Sequence, residues 1–300
     1  MTGTKRLSLL LLAAVIACPS AVMAASAPED GQPFGIGRIC NVTYTESAGA
    51  PQQLDVYLPA DDGSDRPMVV YIHGGSWLEG DKAEHPELYL PLVQAGYVVF
   101  SINYRLTDEA AYPAQIFDCK AAVRWARAHA RDYGGDPEHI AAVGMSAGAH
   151  LAALLGTSGE TKELEGNEGS DGVSSRVQAV VDWYGPTDLT LVAKADGYDI
   201  TPVVKLLGGE PKERMDMARL ASPDAFISAD DPPFLIIHGT EDPIVPFALS
   251  QLMTGMLTQA GVPVELIPVP GGKHGGFDGT QPSQDELMDR VIAFLDDSLD

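Results

Sequence analysis

The sequence predicts an α/β domain, with helices on both faces of a mostly parallel eight-stranded sheet. Two observations lead there. From about residue 36 almost to the end, apolar strand-like runs alternate with helical patterns, and crossover helices are what parallel strands require. Hydrophobic residues make up 45% of the 300, ample for one continuous core.

Taken in order, the strand candidates are Arg38–Tyr44, Leu54–Leu58, Met68–Ile72, Tyr97–Ile102, Ile140–Met145, Val177–Trp183, Phe234–His238 and Val264–Val269. Each is a short apolar or β-branched run bounded by Gly, Pro, Asn or Asp. The first two have no room for a helix between them, so they are read as an antiparallel hairpin at one edge. Helical periodicity marks Pro86–Gln94, Ala114–Asp132, Ala147–Leu155, Ala248–Ala260 and Gln284–Leu299. One stretch, about 186–232, breaks the alternation and carries only short helical pieces at Val203–Leu207 and Lys212–Leu220. Loops of that length are usually functional, so it is read as a cap or lid inserted in a domain spanning 36–300.

Residues 1–24 read as a secretory signal: Lys5-Arg6, an apolar stretch from Leu7 to Ala17 too short to span a bilayer, and Val22-Met23-Ala24 as a small-residue cleavage site. The expectation is a secreted or periplasmic protein with a flexible leader at 25–35. In the alternative reading, Val15-Ile16-Ala17-Cys18 is a lipobox and Cys18 carries a lipid anchor. No other segment is long and apolar enough for a membrane span. The chain has 19 Lys+Arg against 42 Asp+Glu, a net charge of −23. Removing Lys5 and Arg6 with the signal leaves 17 against 42, or −25. Such a surface repels phosphate, which excludes nucleic acid as a partner. Cys40 and Cys119 are far apart with no Cys-x-x-Cys, which argues against a zinc site or redox dithiol. Asn41-Val42-Thr43 matches a glycosylation sequon, a pattern common by chance.

The chemistry is concentrated at strand ends. Gly144-Met145-Ser146-Ala147-Gly148 follows the buried run Ala141–Val143 and opens an alanine-rich helix, the strand–turn–helix setting that holds a nucleophilic serine above a sheet. An activated serine needs a base and an acid, in the order Ser, Asp/Glu, His for this kind of turn. Only His238 and His274 lie far beyond Ser146. His238 ends an apolar strand and is read as structural. His274, in the glycine-rich loop Gly271–Gly276, is read as the base. The acid is Asp242 in "HGTEDPIVP", with Glu241 the fallback; Pro243 extends the backbone at Asp242 so that its carboxylate can aim at His274 and fix the ring's tautomer. His150, four residues after Ser146, is expected to pack beneath the turn. The glycines of "YIHGGSW" end the third strand on bare backbone. Gly74 and Gly75 N–H, with Ala147 N–H, are therefore read as an oxyanion hole for acyl transfer. Trp77, Tyr104, Trp183 and Tyr184 are the candidate substrate-binding side chains.

Together, "HGGSW", "GMSAG", "HGTEDPIVP" and "GGKHGG", with "NYRL" at Asn103–Leu106, "YPAQIFDCKAAVRW" at Tyr112–Trp125 and "SPDAFISADDPPFLIIHGT" at Ser222–Thr240, resemble the α/β-hydrolases. The resemblance covers about 38–298 and is to the carboxylesterase branch whose His-Gly-Gly loop is shared by hormone-sensitive-lipase-like esterases and by bacterial feruloyl and acetyl-xylan esterase-like proteins. It implies a Ser/Asp/His hydrolase of short acyl esters with no metal or organic cofactor, acting on small-molecule or oligosaccharide esters. It also implies that "NYRL" and Asp118 are scaffold, with an Arg105–Asp118 pair. Ser76 stands where some lipase relatives carry a third glycine, which weakens any claim for bulky alcohols. Two other readings are an amide hydrolase of prolyl-peptidase type and a non-catalytic binding module; the first is disfavoured because such enzymes commonly carry a gating domain for which 300 residues leave no space.

Overall fold

The computed structural model describes residues 36–47, 50–61, 63–159, 161–192, 197–275, 277 and 279–300. The signal, the Cys18 motif and the 25–35 leader lie outside the described residues, as do Lys194 and Asp196 of the 186–232 stretch.

Eight strands, β1 (Gly37–Ser47), β2 (Ala50–Leu58), β3 (Arg66–Ile72), β4 (Val98–Ile102), β5 (Gly135–Met145), β6 (Ala179–Trp183), β7 (Phe234–Gly239) and β8 (Val264–Val269), form one sheet in the order β1-β2-β4-β3-β5-β6-β7-β8. β1 and β2 pair antiparallel at the edge, β2 runs antiparallel to β4, and β3 to β8 are parallel. The helices are α1 (Leu90–Gln94), α2 (Ala114–Ala128), α3 (Ala147–Thr157), α4 (Leu189–Val192), α5 (Thr201–Leu207), α6 (Met215–Leu220), α7 (Phe247–Ala260) and α8 (Gln284–Leu299).

The central strands are apolar on both sides because both faces are covered. On β3, Met68, Val70 and Ile72 join a core with α2, α3 and α7, while Val69 and Tyr71 join a second core with α1 and α8. These five side chains are fully buried, each contributing about 1.5–3 kcal/mol relative to exposure. Two helices differ from the sequence reading. The first is divided into a 3-10 turn at Pro86–Leu88 and α1, and the second stops at Ala128 before a 3-10 turn at Ala130–Tyr133. In each case a tighter turn replaces the continuous helix that periodicity suggested. α8 opens with a capping box in which Ser283 and Glu286 bond reciprocally. Among the described residues no helix is long and apolar enough to cross a membrane.

The expected scaffold pair is present: Arg105 Nε and Nη2 donate to Asp118 Oδ2 and Oδ1, both at 2.7 Å. This two-pronged bond ties the loop after β4 to α2. In the 186–232 stretch, the helices α4, α5 and α6 pack onto the first core through Leu189, Val203, Leu206 and Ala218.

Candidate active site

The strand order gathers the site. Loops leaving the carboxyl ends of β3, β5, β6, β7 and β8 meet along one edge of the sheet, where parallel α/β sheets bind their ligands. Ser146 joins β5 to α3 with φ 53° and ψ −119°, a strained conformation for a residue other than glycine. The turn is this sharp because its flanks are bare. A Cβ on Gly144 would lie 2.3 Å from Gly148 O, and one on Gly148 would lie 2.1 Å from Ile72 O. Ser146 N–H donates to Trp183 O at 2.8 Å, which pins the turn to β6.

His274 Nε2 is 2.8 Å from Ser146 Oγ, and His274 Nδ1 is 2.7 Å from Asp242 Oδ2. The loops bearing His274 and Asp242 leave neighbouring strands and are laced together, with Glu241 N–H donating to Gly272 O at 3.0 Å and Gly271 N–H to Thr240 Oγ1 at 3.0 Å. Asp242 Oδ1 accepts the N–H groups of Ile244 and Val245 at 2.8 and 2.9 Å. Burial pushes the Asp242 carboxyl up, but the hydrogen bonds from His238 and His274 and the Val245 N–H outweigh it and hold the group well below the usual carboxylate range. Glu241 is exposed at the surface of the same turn.

The His73-Gly74-Gly75 loop abuts the serine turn: a Cβ on Gly74 would lie 3.1 Å from Met145 O and 3.5 Å from Ser146 Cβ. Gly75 has φ 98°, a conformation that only glycine adopts readily. The N–H groups of Gly74 and Gly75 donate to no other described residue. Ala147 N–H is the first of α3, one of the donors that a helix leaves without an internal partner. The Gly74 backbone and the Ala147 N–H thus border Ser146, with Gly75 next along the same loop.

The aromatic candidates separate into different places. Trp77 and Ser146 line a cavity of about 50 Å³ together with Val192 and Val203 of the 186–232 stretch and Ile244. Tyr184 sets its ring edge-on to His274, centroids 4.8 Å apart. Tyr104 and Trp183 are corrections to the sequence reading. Tyr104 is buried behind the glycine loop, its hydroxyl donating to His73 O and Gly74 O at 3.1 and 3.3 Å, with its ring stacked on His73 at 4.5 Å. Nearly buried there, it braces the loop. Trp183 is fully buried in the second core, stacked on Phe277, because a side chain within β6 points into a helix-covered face.

His150 lies beneath the turn, as expected of it. Its Nδ1 accepts from Trp77 Nε1 at 3.3 Å and its Nε2 donates to Ala221 O at 2.6 Å. Burial depresses its pKa to about 4, so it remains a neutral strut between Trp77 and the Ala221 carbonyl. Sequence reading missed a contact of His238, whose Nε2 is 3.1 Å from Asp242 Oδ2. The signal was the four-residue spacing in "HGTED", which a strand-to-turn junction folds back on itself.

Known proteins share this architecture. The chain is 33% identical to a truncated carbohydrate esterase from gut microbiota, with a TM-score of 0.80 over 89% of this chain and 98% of that one. It is 30% identical to the propionate-bound esterase Est2 of the planctomycete Thermogutta terrifontis, with a TM-score of 0.69 over 86% and 91%. The sheet and its helices are therefore an α/β-hydrolase fold. Esterase LipQ of Mycobacterium tuberculosis is 32% identical over 232 residues, 75% of this chain but 54% of LipQ; the chain spans about half the length of the first curated relatives it matches. The BD-FAE family model matches residues 54–257, a span running from β2 through the serine turn and the Asp242 loop into α7, and the chain belongs to that family.

Proposed function

We propose that the protein is a serine carboxylesterase acting on short acyl esters through an acyl-enzyme. The observation that carries the reading is the unbroken contact from Asp242 through His274 to Ser146 Oγ, beside backbone donors that have no other described partner. Ser146 Oγ attacks the ester carbonyl carbon as its proton passes to His274 Nε2. The carbonyl oxygen becomes an oxyanion and accepts from Gly74, Gly75 and Ala147 N–H. The C–O bond to the alcohol then breaks, and the departing oxygen takes the proton from Nε2. Water repeats the sequence on the acyl-serine, with His274 as base, releasing the acid and restoring Ser146. Asp242 stays ionised and holds the imidazole in the tautomer that leaves Nε2 free to accept.

The cavity beside Ser146 supports a short acyl group. Its volume of about 50 Å³ is a third of the roughly 150 Å³ apolar cavity that accommodates benzene, and the related Thermogutta esterase was solved with propionate. A sugar as the alcohol is a second reading, favoured by the likeness to a carbohydrate esterase. Export through residues 1–24 remains part of the proposal. The test is a substrate series of 4-nitrophenyl acetate, butyrate and palmitate with an acetylated xylooligosaccharide, and paraoxon as a serine probe. Turnover of acetate and butyrate esters, with the phosphoryl label mapping to Ser146, is expected; full turnover by folded Ser146→Ala overturns the reading. Absence of acetate release from the oligosaccharide removes only the sugar.

A further inference from the structure

The hydrogen-bonded chain continues past the carboxylate. Asp242 Oδ2 is shared by two imidazoles, His274 Nδ1 at 2.7 Å and His238 Nε2 at 3.1 Å. His238 is fully buried at the end of β7. Its Nε2 faces two acceptors, Asp242 Oδ2 and Val245 O, the latter also at 3.1 Å, so this nitrogen carries a proton and donates. Its Nδ1 is 2.7 Å from Ser250 Oγ on α7, and a serine hydroxyl can donate to it. The ring is enclosed by Phe247 of α7, centroids 5.6 Å apart, and Tyr184, 6.5 Å apart, and the buried Asp182 of β6 lies within its electrostatic reach.

We propose that His238 is a positioning residue for ester hydrolysis, the fourth member of a relay Ser250–His238–Asp242–His274–Ser146. The proposal rests on the triad reading above. An aspartate's terminal torsion is broad, and its planar carboxylate turns as one unit, so every bond to either oxygen helps set where Oδ2 lies. The backbone N–H groups of Ile244 and Val245 hold Oδ1. The bonds made directly to Oδ2 come from the two imidazoles, and of these only His238 stands on a strand; His274 rides on a loop rich in glycine. His238 therefore supplies the fixed end against which His274 is aligned, and Ser250 fixes His238 in turn.

The experiment compares His238→Leu, His238→Gln and Ser250→Ala with the unaltered protein, reading kcat and KM on 4-nitrophenyl butyrate, thermal unfolding, and the low-field proton resonance of the His274–Asp242 bond. His238→Leu is expected to lower kcat about 10–100-fold, the usual range for groups that orient a functional side chain, with KM nearly unchanged and the resonance shifted or broadened. His238→Gln, which can present an N–H at similar reach, is expected to recover most of kcat. A His238→Leu protein that keeps full kcat and an unmoved resonance, losing only thermal stability, overturns the proposal. So does a glutamine variant as impaired as the leucine one. Should His238→Leu fail to fold, Ser250→Ala decides: a reduced kcat with a moved resonance supports the relay, and no change in either overturns it. Failure of the triad itself is distinguishable, because it appears as activity in Ser146→Ala.

Discussion

Two buried carboxyls, Asp242 and Asp182, both interact with His238, yet their acidities move in opposite directions. Asp242 is over-supplied with donors and held below the usual range, so its contribution to stability is present above the ordinary carboxylate pKa and is lost only in strongly acidic solution. Asp182 accepts one bond, from Gly185 N–H at 2.7 Å, and among the described residues its Oδ2 has no hydrogen-bond partner; burial lifts its pKa from 3.8 to about 6. Between those values the folded state keeps a proton that the unfolded chain releases. Stability from this group is therefore fully present in the acid and lost as pH rises through about 6. Asp182→Asn is expected to gain on the order of 3 kcal/mol relative to the unaltered protein between pH 4 and pH 8, read by urea unfolding at both; a pH-independent difference rules this out. For the reaction, Ser146→Ala and His274→Ala should each lower kcat by about 10⁴ or more, with little further loss when combined. Asp242→Asn should cost roughly 10³–10⁴, whereas the exposed Glu241→Gln should cost little. The reverse order of the two amides would move the acid to Glu241.

At the scale of elements, the serine turn and the helices of the 186–232 stretch border the candidate site. β3, β5 and α3 approach so closely at Gly148 that a methyl group has no space: Ile72 O and His73 O lie 2.1 and 2.4 Å from where its Cβ would stand. Both neighbours are backbone and cannot rotate away. Gly148→Ala is expected to destabilise by at least about 3 kcal/mol, the upper end of overpacking, and to displace Ser146; a variant with normal stability and activity would show that β3 can yield. The 186–232 stretch contributes differently. Val203 of α5 and Val192 of α4 close the cavity beside Ser146, so Val203→Ala should extend the accepted acyl chain by one or two carbons. Each methylene newly buried is worth up to about 0.8 kcal/mol in kcat/KM. An acyl-length profile unchanged by Val203→Ala would place the acyl group elsewhere.

The whole molecule is strongly acidic, at −23 over 300 residues. Many like charges on one compact surface repel one another, and the compact state bears the cost. Salt shortens the range of that repulsion from about 30 Å at 0.01 M to about 3 Å at 1 M. Thermal unfolding should therefore shift to higher temperature as sodium chloride is raised over that range, and a falling midpoint would mean that specific ion pairs such as Arg105–Asp118 outweigh the net charge. The same charge opposes approach to anionic lipid surfaces. Together with the small cavity, this predicts that palmitoyl esters are turned over more slowly than acetyl or butyryl esters, which the 4-nitrophenyl series checks.

The alternation of strands and helices and the edge hairpin were legible in the sequence because each depends on local rules, and the proposed serine, aspartate and histidine were picked out by the chain order that such a turn requires. Strands and helices follow from periodicity, and bare turns from glycines in "GMSAG", "HGGSW" and "GGKHGG". The roles of large aromatics and of the second histidine were not legible, because they depend on which face of the sheet a side chain meets and on what another loop brings to it. Tyr104 and Trp183 stand beside site motifs in the chain, yet close packing turned one behind the glycine loop and the other into the core. His238 resembles any strand-terminal histidine until the turn after β7 carries Asp242 back over it and α7 presents Ser250. The sequence by itself determined which candidate groups the strand ends carry; the tertiary structure alone decided which of them share a proton acceptor, since a hydrogen bond depends on distances of a few tenths of an ångström that only the packed sheet sets.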